Sequence, residues 1–143
     1  MRRVLEETRR ADEVDAIAGN TALTFGLCAQ KDWSNLDILV FCDDPAQVLK
    51  DNGLAGHIEL SKYRVKLGAQ SIFGRAVGII AMWRNPRSPN HYLAIVTSND
   101  ALHCELPNMN FAFEGWFDYM AWETTETQRT VVLEADRFDR NWN

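Results

Sequence analysis

Two apolar segments joined by a proline-containing loop constrain the fold of this chain more than any other feature. Residues 77–83 (VGIIAMW) and 92–97 (YLAIVT) are apolar and rich in β-branched side chains, and the loop between them contains Pro86 and Pro89. Neither a helix nor a paired strand continues through these prolines, because proline fixes φ and lacks a backbone N–H. The pattern therefore predicts two antiparallel strands joined by an irregular loop.

A single domain is expected from size and composition. The chain has 143 residues, 46% of them hydrophobic, which is enough to bury one core. Its net charge is −5 and its basic residues are interleaved with acidic ones, which argues against a nucleic-acid partner. No apolar run approaches the roughly 18 residues that a membrane span requires. We therefore expect one domain over residues 1–143, with no nucleic-acid or membrane partner.

A strand followed by a capped helix is the best-defined local pattern. Residues 37–42 (DILVFC) form a continuous apolar run, typical of a strand that is buried on both faces and paired in parallel. After this run, Asp44 is a candidate N-cap, Pro45 suits the first helical position and Asn52-Gly53 supplies a stop. The pattern predicts a helix over Pro45–Asp51 in a strand–helix–strand unit.

Two further helices are predicted from periodicity and capping residues. Residues 1–20 have apolar positions near helical spacing, and residues 98–100 (SND) are suited to cap a helix over 101–106. Further β-prone runs occur at 21–28, 58–60, 63–67, 117–123 and 130–134. The predicted class is α/β or α+β, a single domain with a mixed sheet of five to seven strands and two or three helices.

Three segments resemble parts of a known bacterial domain. They are the loop and its flanks at 83–92 (WRNPRSPNHY), the strand at 35–40 (NLDILV) and the Phe-Asp-x-x-Trp pattern at 138–142. In this order they resemble the α/β domain at the C-terminal end of large bacterial proteins of the prolyl-oligopeptidase-like α/β-hydrolase type, over residues 35–142. Arg84 stands where that domain has the first proline of Pro-Asn-Pro. The hydrolase nucleophile of those proteins lies in a separate domain, so the resemblance implies no catalytic residue here.

The sequence lacks the motifs of covalent catalysis and of metal binding. It contains no Gly-x-Ser-x-Gly, no Cys-x-x-Cys and no His-x-x-x-His. His103 and Cys104 are adjacent, so on a helix their side chains would point about 100° apart and would not form a dyad. We therefore expect no catalytic residue, no metal and no cofactor.

The cysteine count indicates the compartment. Cys28, Cys42 and Cys104 cannot all pair within one chain, and the first residues lack the apolar run of a secretory signal. We expect reduced thiols and a cytoplasmic protein.

A candidate ligand pocket lies where the central strands end. Asp43 and Asp44 follow the strand at 37–42, the place where α/β sheets usually bind ligands, and two adjacent carboxylates suit a divalent cation. The alternative, which we favour, is that Asp44 caps the helix and Asp43 is solvated. The remaining candidate pocket residues are Ser98, Asn99 and, in the aromatic segment 107–119, Trp116.

The aromatic segment also supports a second hypothesis. Phe111, Phe113, Trp116 and Phe117 lie close together in sequence, and aromatic side chains are concentrated at the centres of protein interfaces. The first hypothesis for function is therefore a non-enzymatic interaction module that forms a homodimer through these residues. The alternative is a small-molecule-binding protein or small enzyme whose pocket lies near Asp43, Ser98 and the aromatic segment.

Overall fold

Nine strands and one short helix form the described part of the chain. The computed structural model describes residues 21–25, 37–107 and 117–138, with side chains in 39–107 and 117–138. The helix predicted at 1–20 lies outside these ranges. The elements are β1 (Thr21–Phe25), β2 (Asp37–Phe41), α1 (Ala46–Asp51), β3 (Ile58–Ser61), β4 (Arg64–Leu67), β5 (Gln70–Phe73), β6 (Val77–Arg84), β7 (Tyr92–Ser98), β8 (Tyr119–Thr124) and β9 (Thr130–Asp136).

Six strands form a mixed sheet in the order β1-β2-β7-β6-β8-β9. β2 is parallel to β1 and to β7, whereas β6 is antiparallel to β7 and β8, and β8 is antiparallel to β9. The prediction of a mixed sheet is confirmed, with parallel pairing at 37–41 and antiparallel pairing across the proline loop. In that hairpin the register runs from Gly78 opposite Ser98 to Arg84 opposite Tyr92.

The other three strands form an antiparallel meander in the order β3-β4-β5. Along β4, Val65 and Leu67 are buried while Arg64 and Lys66 are half-buried. This alternation arises because successive side chains of a strand point to opposite faces. One face of the meander is therefore apolar and the other polar.

The main core lies between the meander and one face of the six-stranded sheet. Both sheets contribute to this cluster, which includes Val40, Val65, Leu67, Ile72, Ile79, Trp83, Ile95 and Tyr119. A smaller cluster contains the alternate residues of the same strands, including Phe41, Ile80, Val96, Met120 and Trp122. Strands β2, β6 and β7 contribute to both clusters, which explains why their sequences are continuous apolar runs.

The helix α1 begins one residue later than predicted. It spans Ala46–Asp51, with Pro45 at the N-cap position. Asp44 precedes the N-cap, so the prediction that it is the N-cap residue is wrong. Its Oδ1 still accepts a hydrogen bond at 2.9 Å from the Ala46 N–H, one of the N–H groups that have no partner within the helix. The chain then enters β3 of the meander instead of a parallel neighbour of β2, so the predicted strand–helix–strand unit is not formed within one sheet.

The prediction of a helix after Asp100 is wrong. The Asp100 C=O accepts a hydrogen bond from the Cys104 N–H at 2.9 Å, which closes a single turn. Glu105 then bonds to β8: its N–H donates to Thr124 Oγ1 and its C=O accepts from Trp122 Nε1, each at 2.8 Å. These tertiary bonds use the backbone groups that a longer helix would need. The described part of the chain is thus mostly β, with fewer helices than an α/β or α+β class implies.

Candidate functional site

Asp43 and Ser98, two of the candidate pocket residues, lie next to each other where the parallel strands β2 and β7 end. Because β2 and β7 are parallel with Phe41 opposite Val96, the residues that follow the two strands emerge together. The Cys42 N–H extends this pairing by donating to the Val96 C=O at 3.1 Å. The structure therefore brings these two positions together at the carboxyl ends of the two parallel strands.

The polar groups of Ser98 and Asn99 form hydrogen bonds within the fold. Ser98 Oγ donates to the Val77 C=O at 2.9 Å, and Asn99 Oδ1 accepts from the Val77 N–H at 2.8 Å. Asn99 Nδ2 also donates to the Gly74 C=O at 3.1 Å and the Lys62 C=O at 3.4 Å. These bonds attach the end of β7 to the start of β6 and to the meander, so both side chains act as positioning residues.

Asp44 lines a cavity beside α1. This cavity, of about 410 Å³, lies between the helix and the start of the meander, and Leu49 and Ile58 form part of its apolar wall. The carboxylate of Asp44 accepts a hydrogen bond from the Ala46 N–H at the start of the helix, and Asp43 is exposed to solvent. Across the described ranges, no three His, Cys, Asp or Glu side chains come together in a group suited to a metal ion.

A second cavity, of about 370 Å³, lies beside the turn that follows β7. Asp100 and His103 form one part of its wall, and His103 Nδ1 lies 2.8 Å from Asp100 Oδ2. This contact orients the ring so that Nε2 points away from the carboxylate, an arrangement that suits a general base. Sequence reasoning considered His103 with Cys104 and assigned Asp100 to a helix cap, so it missed the Asp100–His103 pair. The Asp-x-x-His spacing is the signal that identifies the pair.

Cys104, at the same turn, is unsuited to nucleophilic chemistry. It is 1% exposed, and burial raises the pKa of its thiol above the usual value, against smaller opposing effects of hydrogen bonds with Ser98 and Thr124. The reactive form of cysteine is the thiolate, which this environment disfavours. The cavity beside the Asp100–His103 pair therefore has a candidate base and no cysteine nucleophile.

Most of the predicted aromatic interface lies outside the described residues. This applies to Phe111, Phe113 and Trp116. Phe117 is described, and it is half-buried and packed against the smaller core cluster. At this position the segment contributes to the interior of the protein.

An exposed apolar strand lies instead at the edge of the six-stranded sheet. In β9, Val131, Val132 and Leu133 are 48%, 43% and 43% exposed. A register shift opposite Ala121 and Trp122 interrupts the pairing with β8 at this point. β9 is last in the sheet order, so among the described strands none pairs with its outer side. Sequence reasoning missed this surface, because three consecutive apolar residues are typical of a strand that is buried on both faces.

Comparison of the chain with protein-family models, with curated proteins and with solved structures finds no match. The helix of the described residues, α1, has six residues and is too short to span a bilayer.

Proposed function

We propose that this chain is a cytoplasmic, non-enzymatic interaction module that self-associates as a homodimer through strand β9. The observation that carries the proposal is the run of three exposed apolar side chains, Val131 to Leu133, on a strand at the sheet edge. Edge strands of monomeric proteins are usually protected by charges, prolines or covering segments. A second strand added to β9 would cover these side chains and supply main-chain hydrogen bonds.

The charges that flank β9 favour a second copy of the chain in antiparallel orientation. Arg129 precedes the apolar residues, and Glu134 and Asp136 follow them. Antiparallel pairing places the Arg129 end of one copy beside the Glu134 and Asp136 end of the other, and two-fold symmetry forms this contact twice. A parallel arrangement would place like charges side by side.

Two other observations support parts of the proposal. The chain has three cysteines, which cannot all pair within it, and Cys42 and Cys104 are buried in the core, as expected of a protein in a reducing compartment. The resemblance of residues 83–92 to a domain without a nucleophile favours a binding role over catalysis. The aromatic residues Phe111, Phe113 and Trp116 remain a second predicted contact surface of the same dimer.

Light scattering of the wild-type and Val132→Lys proteins tests the proposal. At micromolar concentration the wild type is expected to have a mass of about 33 kDa, twice its 16.3 kDa. Val132→Lys should shift the mass to that of the monomer, because a charge at the centre of the interface loses its hydration on pairing. The matched control is Leu102→Lys, at another exposed aliphatic side chain, which should leave the dimer intact. A monomeric wild type would refute self-association, and a dimeric Val132→Lys protein would refute the assignment to β9.

The Asp100–His103 pair favours a second candidate function, the binding of a small polar molecule in the 370 Å³ cavity. Arg75 and Glu126 also line this cavity, so it presents groups of both charges. In a thermal-shift screen of small metabolites, a true ligand would stabilise the wild type but not His103→Ala. A screen without such a compound would leave the interaction module as the sole candidate.

A further inference from the structure

The outward face of the meander is a second exposed surface of distinct chemistry. Ile58, Val65 and Ile72 point into the core, one from each strand. The alternate positions therefore point outward, in one row of Glu59, Lys66 and Ser71 and in a second row of Ser61, Arg64 and Phe73.

This segment is basic, unlike the chain as a whole. Residues 58–73 contain three cationic side chains and one carboxylate, a net charge of +2 in a chain of net charge −5. Glu59 accepts a hydrogen bond from Lys66 Nζ at 2.6 Å, so the single carboxylate is already paired. The remaining cations of the meander are Lys62 and Arg64, whereas Arg75, beyond β5, lies 3.4 Å from Glu126.

Two of the most exposed aromatic side chains lie at the same end of the meander. Phe73 is 70% exposed and lies opposite Arg64, and Tyr63 is 55% exposed. The Gly74 N–H donates to the Tyr63 C=O at 3.1 Å, which continues the pairing past Phe73. Lys62 Nζ lies 5.1 Å from the centroid of the Tyr63 ring. Each aromatic ring is thus accompanied by a cation.

We infer that this face of the meander binds single-stranded nucleic acid. Aromatic rings on an antiparallel sheet stack with unpaired bases, and adjacent cations neutralise the phosphates that connect them. The net charge of −5 predicts no such partner. That prediction averages the charge over the whole surface, whereas the fold places Lys62, Arg64 and Lys66 together on the meander. The Asn99 side chain holds the Lys62 turn through the Lys62 and Gly74 carbonyls, so the aromatic end of the meander is fixed to the main sheet.

Fluorescence anisotropy with labelled 12-nucleotide dT and U oligomers tests this inference. Phe73→Ser should weaken binding about tenfold, through loss of one stacked base. Arg64→Gln should lower the slope of log affinity against log salt by about 0.7, the value of one phosphate contact on a single strand. Both the DNA and the RNA oligomer are expected to bind, and a higher affinity for one of them would identify which nucleic acid the protein prefers.

The β6–β7 hairpin supplies a matched control, since Arg84 lies opposite Tyr92 just as Arg64 lies opposite Phe73. Arg84→Gln and Tyr92→Ser should bind both oligomers like the wild type. Circular dichroism would verify that each variant is folded. Equal binding of a 12-residue glutamate peptide would show an acidic protein segment as the partner and would overturn the inference, as would oligomer binding that Phe73→Ser and Arg64→Gln leave unchanged.

Discussion

Tyr119 connects the two sheets through its hydroxyl group. The ring is almost fully buried in the main core, and the hydroxyl donates to Glu134 Oε1 of β9 at 2.7 Å. It also lies 2.9 Å from Gln70 Oε1 of β5, in the meander. One side chain of β8 therefore contacts polar groups of both neighbouring elements.

The Tyr119 environment predicts a loss of stability at alkaline pH. Burial, and then the hydrogen bond to the Glu134 carboxylate, raise the pKa of Tyr119 above its usual value of about 10. The folded state therefore holds this proton more tightly than the unfolded state, so its contribution to stability is complete below about pH 10 and is lost as the pH rises further. In urea titrations between pH 9 and 11.5, the wild type should lose stability more steeply above pH 10 than Tyr119→Phe. The exposed Tyr63→Phe control should follow the wild type, and parallel curves for Tyr119→Phe and wild type would contradict the prediction.

Single residues also show why the candidate site was only partly predictable. The sequence places Ser98 and Asn99 after a central strand, and they are found at that edge. Their partners, however, are backbone groups of Val77, Gly74 and Lys62, more than twenty residues away in the chain. A local pattern contains no information on such distant partners, so it cannot separate a ligand group from a positioning group.

At the scale of elements, Gly78 is required by the packing of β6 against β8. A Cβ at this position would overlap the indole ring of Trp122, the residue opposite in β8. Trp122 is fully buried and its Nε1 donates to the Glu105 C=O, so the ring cannot move aside without losing this bond. Gly78→Ala should therefore lower the free energy of unfolding by about 2 kcal/mol, as measured by urea denaturation.

A double-mutant cycle isolates the cause of the Gly78 effect. In a Trp122→Leu background the overlap is removed, and the same Gly78→Ala change should cost less than half as much. An equal cost in both backgrounds would show that Trp122 is not responsible.

The elements differ in how well the sequence predicts them, for physical reasons. β2, β6 and β7 were predictable because both of their faces are buried, which requires continuous apolar runs. β9 has a similar run but lies at an edge, and no local feature of residues 131–133 distinguishes the two cases. The Asp100 turn has a proper helix cap, yet Glu105 bonds to Trp122 and Thr124, and this tertiary contact overrides local propensity.

At the scale of the whole molecule, Phe138 joins residues that are far apart in sequence. Its ring stacks on Trp83 with a centroid distance of 5.4 Å and on Tyr119 at 5.3 Å. Its N–H donates to Asp118 Oδ2 at 3.1 Å, which holds the chain beyond β9 against the core. The core cluster that Phe138 covers is shared by the meander and the six-stranded sheet.

A shared core predicts that both sheets unfold together. Phe138→Ala should lower the free energy of unfolding by about 2 kcal/mol, less than the loss of a fully buried phenylalanine costs, because Phe138 is only half-buried. Far-UV circular dichroism and tryptophan fluorescence should still give one coincident transition, since neither sheet retains its apolar face without the other. Phe73→Ala, at an exposed phenylalanine of the meander, should leave the midpoint unchanged. If the two probes gave different transition midpoints in Phe138→Ala, the meander would unfold independently of the six-stranded sheet, and the prediction of one cooperative unit would be contradicted.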